Sequence, residues 1–282
     1  GDYCKYTQYF ANGTHSFSLR GCSNNSNMAR VDLRIGGQHK GTFYYGGSYP
    51  AVYTLNNISH GTGNQEIRQD QDQVSIKGQA ILFESGIYAK LPSDMPPALA
   101  LAVLDVAGAP AQTAKLVKPG DTVLIIGAGG KSGLLCLYEA KKRAGVTGRV
   151  LGMGHSQVSH ERIAQSGLAD NVFSLDATKP LEVYDKVSEL TSGRLADVTI
   201  NCVNIPGTEM ASIMTTRDGG TVYFFSMATS FTSCALGAEG IGKDVNMIIG
   251  NGYTKGHAEI ALSVLRESPV LMKMFLERWA VS

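Results

Sequence analysis

The 282-residue sequence lacks several features that would place it in a common protein class. Its net charge is only +1 at pH 7, so the charge balance gives no indication of a nucleic acid or an anionic membrane as a partner. No apolar run approaches the ~18 residues that a bilayer-spanning helix needs. We therefore expect a globular protein, and its length allows one or two domains.

Cysteine is sparse and widely spaced. The five cysteines form no C-x-x-C pair and no cluster with histidine, so the sequence predicts no zinc site. Cys136, Cys202 and Cys234 each stand alone in an apolar stretch, which favours buried, reduced thiols.

The first 68 residues are rich in glycine, asparagine, serine and tyrosine. Short runs of alternating polar and apolar residues, each followed by a turn-forming pair, occur at 16–20, 30–35, 41–45 and 51–55. This pattern predicts an antiparallel β module of the sandwich type. The polar run Arg68–Gln73 marks its end.

From residue 117 onwards, predicted strands alternate with predicted helices. The strands are 121–126, 149–153, 171–174, 197–202, 220–225 and 245–249, and the helices are 131–144, 158–166, 180–191, 207–215, 257–266 and 269–279. This alternation predicts an α/β fold with a doubly wound parallel (Rossmann) sheet. The predicted segments are a β module (1–68), a linker (69–116) and a Rossmann domain (117–282). The linker contains strand-like runs at 74–77 and 80–83 and a helix at 98–106.

A glycine-rich turn joins the first predicted strand of this domain to its first helix. Gly127 allows a tight turn, and Gly129 lets the backbone approach a pyrophosphate at the helix N-terminus. Ser132 stands where the fingerprint G-x-G-x-x-G has its third glycine, and serine is small enough for close packing. The turn therefore predicts a dinucleotide site.

Other interpretations of this turn are weaker. A P-loop needs glycine at position 125, which is Ile125. A methyltransferase often carries an acidic residue after the second strand, where this sequence has His155 and Ser156. A glycine-rich turn that binds no ligand is the remaining alternative.

Ligands of such sheets bind at the carboxyl ends of the strands. We predict that the pyrophosphate contacts Gly127, Gly129, Gly130, Lys131 and Ser132, the adenosine ribose contacts His155 and Ser156, and the nicotinamide borders Val203, Asn204, Ser226 and Met227. Because no carboxylate follows the second strand, nothing there repels a 2′-phosphate. His155, Ser156 and Arg162 are candidates to bind one, so both NAD and NADP are expected cofactors.

Residues from about 72 to the C-terminus resemble the medium-chain dehydrogenase/reductase superfamily and, within it, the L-erythro-3,5-diaminohexanoate dehydrogenases. The resemblance lies in Gly78–Pro92, Ala100–Gln112, Lys118–Gly133 and Glu209–Met214. It implies an oxidoreductase of lysine fermentation, which oxidatively deaminates this diamino acid to 5-amino-3-oxohexanoate with NAD or NADP and without zinc. It also implies a cytoplasmic homo-oligomer, paired through the region Ala228–Asp244.

The N-terminal segment Cys4–Gly37 resembles the calcium-dependent carbohydrate-binding modules of secreted xylanases, and the similarity continues to about Ile67. This resemblance implies a Cys4–Cys22 disulfide and suggests that Tyr44, Tyr45, Tyr49 or Tyr53 faces a sugar. The alternative, which the sequence favours, is that these tyrosines are ordinary strand residues that pack a face of the sheet. A calcium-dependent xylan-binding protein is therefore the alternative function. The final stretch that completes the calcium site in that family is absent here.

The two resemblances together predict a fusion. The β-rich catalytic domain of the dehydrogenases is replaced by the sugar-binding type of segment, so we expect an intact dinucleotide site and impaired or absent catalysis. The sequence does not identify the catalytic residues. Glu84, Asp105 and Glu209 are candidates, each better explained by a structural role.

Overall fold

The computed structural model describes residues 3–10, 14–23, 29–35, 38–45, 47–59, 63–70, 88–250 and 253–279. The chain divides into two compact units, Gly1–Gly86 and Ile87–Ser282. The strands predicted at 74–77 and 80–83 lie outside the described residues. The domain bounds given above remain predictions.

The described part of the N-terminal unit consists of β-strands. They are β1 (Tyr3–Phe10), β2 (Thr14–Ser23), β3 (Ala29–Ile35), β4 (Gln38–Tyr45), β5 (Gly47–Ser59) and β6 (Gly63–Asp70). One antiparallel sheet has the order β1-β6-β3-β4, and β2 pairs with β5. Leu33, Ile35 and Phe43 are buried against Phe17, Leu55 and Ile58. The predicted antiparallel module is confirmed, and β1 and β6 are additional strands that pair with each other.

The C-terminal unit contains a parallel sheet of six strands in the order β12-β11-β10-β7-β8-β9. The strands are β7 (Thr122–Ile126), β8 (Arg149–Gly154), β9 (Asn171–Ser174), β10 (Ala196–Asn201), β11 (Thr216–Phe224) and β12 (Asn246–Ile249). The helices are α1 (Pro97–Leu104), α2 (Gly108–Leu116), α3 (Lys131–Ala144), α4 (Gln157–Ser166), α5 (Pro180–Thr191), α6 (Glu209–Met214), α7 (Phe231–Ile241), α8 (His257–Glu267) and α9 (Pro269–Trp279). This Rossmann-like arrangement confirms the predicted fold class.

The central strand β7 shows why the sheet forms. Val123 and Ile125 pack into the hydrophobic cluster on one face of the sheet, and Leu124 and Ile126 pack into the cluster on the other. All four side chains are fully buried, because alternate residues of a strand point to opposite faces and both faces are covered by helices.

Two helices of this unit were not predicted. Helix α2 follows α1 after a short turn, and α7 occupies most of the stretch between β11 and β12. Helix α7 buries only Cys234 and Ala238, while Phe231, Leu236 and Ile241 are exposed, so its apolar residues do not mark one buried face. Among the described residues, no helix is long and apolar enough to cross a membrane.

Candidate dinucleotide site

The glycine turn after β7 has the geometry that its sequence predicts. Gly127 has a φ of +83°, a conformation that favours glycine, and its N–H and that of Ala128 both donate to the Met153 carbonyl at the end of β8, at 3.0 and 2.9 Å. A Cβ atom on Gly127 would lie 3.0 Å from Val203 Cγ2. The turn is thus held between the ends of β8 and β10.

Close packing of helix α3 on this turn requires Gly133. A Cβ atom there would lie 2.2 Å from the Gly127 carbonyl oxygen and 2.7 Å from Ala128 Cα. Ser132, one residue earlier, is accommodated with 9% of its surface exposed. The fingerprint spacing points to position 132 and not to Gly133, so the role of this glycine in packing was not predicted.

Gly129 is also tightly packed. A Cβ atom on Gly129 would lie 2.2 Å from Ser159 Oγ and 2.6 Å from the Ser159 carbonyl oxygen, so this glycine lets helix α4 approach the turn. Arg162, also on α4, lies with Nη1 3.5 Å from the Gly129 carbonyl oxygen. Helix α4 therefore contacts the glycine turn directly.

The N-terminus of α3 is available for an anion. Its N-cap residue is Gly130, which provides no side-chain capping hydrogen bond. The N–H groups in the first turn of a helix have no carbonyl partner within the helix, and the helix dipole is positive at this end. This end of α3 has the chemistry to bind a pyrophosphate.

A cavity of about 240 Å³ lies at the carboxyl ends of β7, β8, β9 and β10. Of the predicted site residues, Gly127, Gly130, His155, Ser156 and Val203 line it. The other lining residues are Ile126, Met153, Gly154, Ser159, Leu175, Asp176, Ala177 and Ile205. One cavity therefore brings together residues predicted to contact the pyrophosphate, the adenosine ribose and the nicotinamide.

Asp176 is the chemically important addition. Its Oδ1 accepts hydrogen bonds from the N–H and the Oγ1 hydroxyl of Thr178, at 2.9 and 2.7 Å. These bonds, with smaller contributions from His155 and Lys179, hold the pKa of the Asp176 carboxyl below its ordinary value. A negative charge thus lines the cavity near neutral pH. The sequence signal for Asp176 is its position just after the third strand, at the carboxyl end of the sheet.

Lys131, Ser156 and His155 have different roles in the structure. Lys131 Nζ lies 2.5 Å from Asp105 Oδ2, an ion pair outside the cavity lining. Ser156 caps helix α4, since its Oγ accepts from the Ser159 N–H at 3.2 Å. His155 is exposed at the cavity mouth. Their predicted contacts with a cofactor remain predictions.

The loops after β10 and β11 meet. Ser226 Oγ donates to Asn204 Oδ1 at 3.2 Å, while Met227 is 90% exposed. Buried Asn201, which the sequence analysis did not select, positions the first loop. Its Nδ2 donates to Thr208 Oγ1 and Ser212 Oγ, both at 2.9 Å, and its Oδ1 accepts from the Val203 N–H.

The acidic candidates for catalysis are either engaged in structural contacts or outside the described residues. Asp105 is 67% exposed and pairs with Lys131. Glu209 is buried, and its Oε1 accepts from the Ser230 N–H at 2.8 Å, which joins α6 to the start of α7. Glu84 lies outside the described residues. Of the described residues, neither Asp105 nor Glu209 lines the cavity.

The predictions for the N-terminal unit concern mostly side chains that are not described. These are Cys4, Cys22, Tyr45, Tyr49 and Tyr53, whereas Tyr44 is 54% exposed. In the described part of the chain, no group of three or more His, Cys, Asp or Glu side chains is arranged to hold a metal ion. The statements about zinc, calcium and the disulfide remain predictions.

Comparisons with known proteins support different relatives for the two parts of the chain. The chain is 62% identical over 210 residues to L-erythro-3,5-diaminohexanoate dehydrogenase from Acetoanaerobium sticklandii, covering 74% of this chain and 61% of the relative. The enzyme of that name from Fusobacterium nucleatum is 55% identical over 211 residues, which are 75% of this chain and 61% of that relative. The C-terminal part resembles L-erythro-3,5-diaminohexanoate dehydrogenases. The chain spans about three fifths of the length of these relatives.

The N-terminal part matches a different protein. A bifunctional xylanase/deacetylase from Pseudobutyrivibrio xylanivorans is 77% identical over 66 residues, which are 23% of this chain and 11% of that protein. Both resemblances found in the sequence are thus confirmed. The solved structure of AibC, with a TM-score of 0.50 and 22% identity, covers 63% of this chain and 52% of its own and supports the fold. No family model matches the chain.

Proposed function

We propose that the C-terminal unit binds NAD or NADP and that this chain carries the cofactor-binding part of an oxidoreductase that deaminates L-erythro-3,5-diaminohexanoate. The observation that carries the proposal is the cavity at the ends of four parallel strands, beside the N-terminus of α3, in a part of the chain that is similar to dehydrogenases of this diamino acid. The residues present fit a dinucleotide because the site combines backbone donors, a glycine-rich turn and a mostly apolar cavity with a few polar side chains.

Each part of the cofactor has candidate partners. The first-turn N–H groups of α3 would bind the pyrophosphate, and His155, Ser156 and Asp176 would surround the adenosine ribose. The hydrogen-bonded pair Asn204 and Ser226 would border the nicotinamide. When bound, the nicotinamide supplies a hydride acceptor for the carbon that bears the 3-amino group of the substrate. The resulting imine would then hydrolyse to 5-amino-3-oxohexanoate and ammonia.

The charge of Asp176 supports a preference for NAD over NADP. A carboxylate in the cavity near His155 would accept a hydrogen bond from a ribose hydroxyl and would repel a 2′-phosphate. Calorimetric titration of the full chain with NAD⁺ and with NADP⁺ tests this part of the proposal. Micromolar binding of NAD⁺ and weaker binding of NADP⁺ are expected, and a chain that binds neither would contradict the proposed function.

We expect this chain to bind the cofactor better than it catalyses the reaction. The diamino acid would be held by groups of the catalytic domain, which the N-terminal segment replaces, so we infer slow or absent turnover with intact cofactor binding. The assay is the formation of reduced nicotinamide from NAD⁺ and the diamino acid, with free ammonia as a second product. Turnover as fast as that of a full-length dehydrogenase would contradict the inferred impairment. The use of a diffusible nicotinamide and a small amine supports a cytoplasmic enzyme.

A second copy of the chain is the proposed protein partner. Strand β12 ends the sheet of the C-terminal unit, and the neighbouring helix α7 exposes Phe231, Leu236 and Ile241. An edge strand beside exposed apolar side chains favours pairing between subunits. Sedimentation velocity should show a homo-oligomer that a Leu236→Lys substitution dissociates. A monomeric parent chain would contradict this assembly.

Xylan binding is the second candidate function. It is supported by the 77% identity of the N-terminal part to a xylanase/deacetylase and by the exposed ring of Tyr44 on β4. Full chain incubated with insoluble xylan should then bind with calcium present and be released by a chelator. Absence of calcium-dependent binding would leave the dehydrogenase proposal as the function of the chain.

A further inference from the structure

The C-terminal unit has a second, larger cavity that shares no lining residue with the dinucleotide cavity. Its volume is about 470 Å³, and it lies between helix α2, residues 253–255 and the first turns of helix α8. Three cationic side chains line it, Lys115, Arg143 and Lys255, and none of the described carboxylates does. Its size is within the range of small-molecule sites in proteins.

The positive charges around this cavity are only partly balanced within the described part of the chain. Arg143 is neutralised by buried Glu139, with Nε and Oε2 3.0 Å apart. Lys115 and Lys255 are exposed and form no ion pair with any described residue. Glu259, the acidic residue in the first turn of α8, lies near Arg266 instead, at 3.7 Å. The cavity therefore has an excess of two positive charges.

A buried amide adds directed hydrogen-bond donors. Gln112 lines the cavity and is only 6% exposed, and its Oε1 accepts from Thr254 Oγ1 at 2.9 Å. This bond fixes the orientation of the amide, and its Nε2 group has no hydrogen-bond partner among the described residues. Since Gln112 is one of the residues that line the cavity, its amide is the buried hydrogen-bond donor closest to a bound ligand there.

We propose that this cavity binds a small molecule that carries phosphate groups. The free groups around it are hydrogen-bond donors, from an amide and two ammonium groups, and phosphate oxygens are acceptors. A phosphate ester carries about −1.5 to −2 charge at pH 7, which matches the excess of two positive charges. A monocarboxylate would neutralise only half of that excess. This site is independent of the proposed dehydrogenase function.

The test is calorimetric titration of the full chain at low ionic strength with inorganic pyrophosphate and, separately, with inorganic phosphate. Gln112→Glu keeps the acceptor for Thr254 but replaces the free donor by an acidic group, so pyrophosphate should bind about tenfold more weakly or worse. The double variant Lys115→Gln/Lys255→Gln should lose affinity to at least the same extent. Tighter binding of pyrophosphate than of phosphate would indicate a ligand with more than one phosphate group.

A matched control removes the same charge elsewhere. Lys90 and Lys118 are exposed, lie outside the cavity and form no ion pair with any described side chain. Lys90→Gln/Lys118→Gln should therefore bind pyrophosphate like the parent chain. If all variants retained pyrophosphate binding, the ligand would bind elsewhere, for instance at the N-terminus of α3, and the proposal would be overturned. An equal loss of affinity in the control variant would also overturn it. Circular dichroism checks folding. If Gln112→Glu does not fold, the double variant Lys115→Gln/Lys255→Gln still tests the proposal, because both lysines are exposed.

Discussion

Gly133→Ala is the sharpest structural test of the glycine turn. The added Cβ atom would lie 2.2 Å from the Gly127 carbonyl oxygen, more than 1 Å closer than the 3.4 Å at which ordinary van der Waals contact begins. Its neighbours at Gly127 and Ala128 are backbone atoms, so no side chain can rotate away. To relieve this contact, helix α3 must move away from the turn, or strand β7 must shift.

The free-energy cost follows from this geometry. Overpacking a well-packed site costs about 1–3 kcal/mol. The cost here should lie at the upper end of that range, because the added Cβ atom meets backbone atoms that cannot rotate away. Alanine recovers about 0.5–1 kcal/mol because it is a better helix former than glycine. We therefore expect the variant to be less stable by about 2 kcal/mol. For a unit of this size, that lowers the thermal midpoint by roughly 4–8 °C.

The assay is thermal and urea unfolding followed by the helical circular-dichroism signal, to which the described helices of the C-terminal unit contribute. Gly240→Ala is the matched control, because a Cβ atom at Gly240 in helix α7 would meet no atom within 4 Å. That control should gain about 0.5–1 kcal/mol from helix propensity alone. A Gly133→Ala chain as stable as the parent, with the control behaving as described, would refute the packing argument.

The remaining predictions concern charge, hydrogen bonding and pH. Asp176→Asn should raise NADP⁺ affinity about three- to tenfold and change NAD⁺ affinity much less, because it removes the carboxylate charge while keeping the acceptor for Thr178; calorimetry with both cofactors checks this, and unchanged selectivity would exclude Asp176 as the determinant. Tyr223→Phe should stabilise the chain by about 1–2 kcal/mol in urea unfolding, because the buried hydroxyl has no hydrogen-bond partner in the described structure; destabilisation would mean that the hydroxyl is bonded, for instance to a water molecule. Burial, with a smaller contribution from the Glu209 charge, raises the pKa of the Cys234 thiol from 9.0 to about 12. The stability that the protonated thiol contributes should therefore be complete below pH 9 and be lost as the pH rises toward 12. Cys234→Ala should flatten the fall in unfolding free energy across this pH window, and an unchanged slope would contradict the assignment.

The sequence by itself determined the fold class of the C-terminal unit and much of its element order. The short, β-branched apolar run Val123–Ile126, followed by a glycine turn, fits a strand covered on both faces. Helical spacing of apolar residues marks α3 and α5. These are properties of residues that are close in the chain. Where such a local signal is weak, as in α7 with its exposed Phe231 and Leu236, the sequence analysis assigned no element.

Only the tertiary structure decided which residues share the site and what each of them contacts. Asp176 reaches the dinucleotide cavity because β9 lies beside β8, and Lys131 turns to Asp105 because α1 ends close to the start of α3. The requirement for glycine at position 133 likewise arises from the approach of α3 to the turn of Gly127. Each of these outcomes depends on the relative placement of separate elements. Helical or strand periodicity specifies which face of an element is buried, but it does not specify which atoms of another element will meet that face.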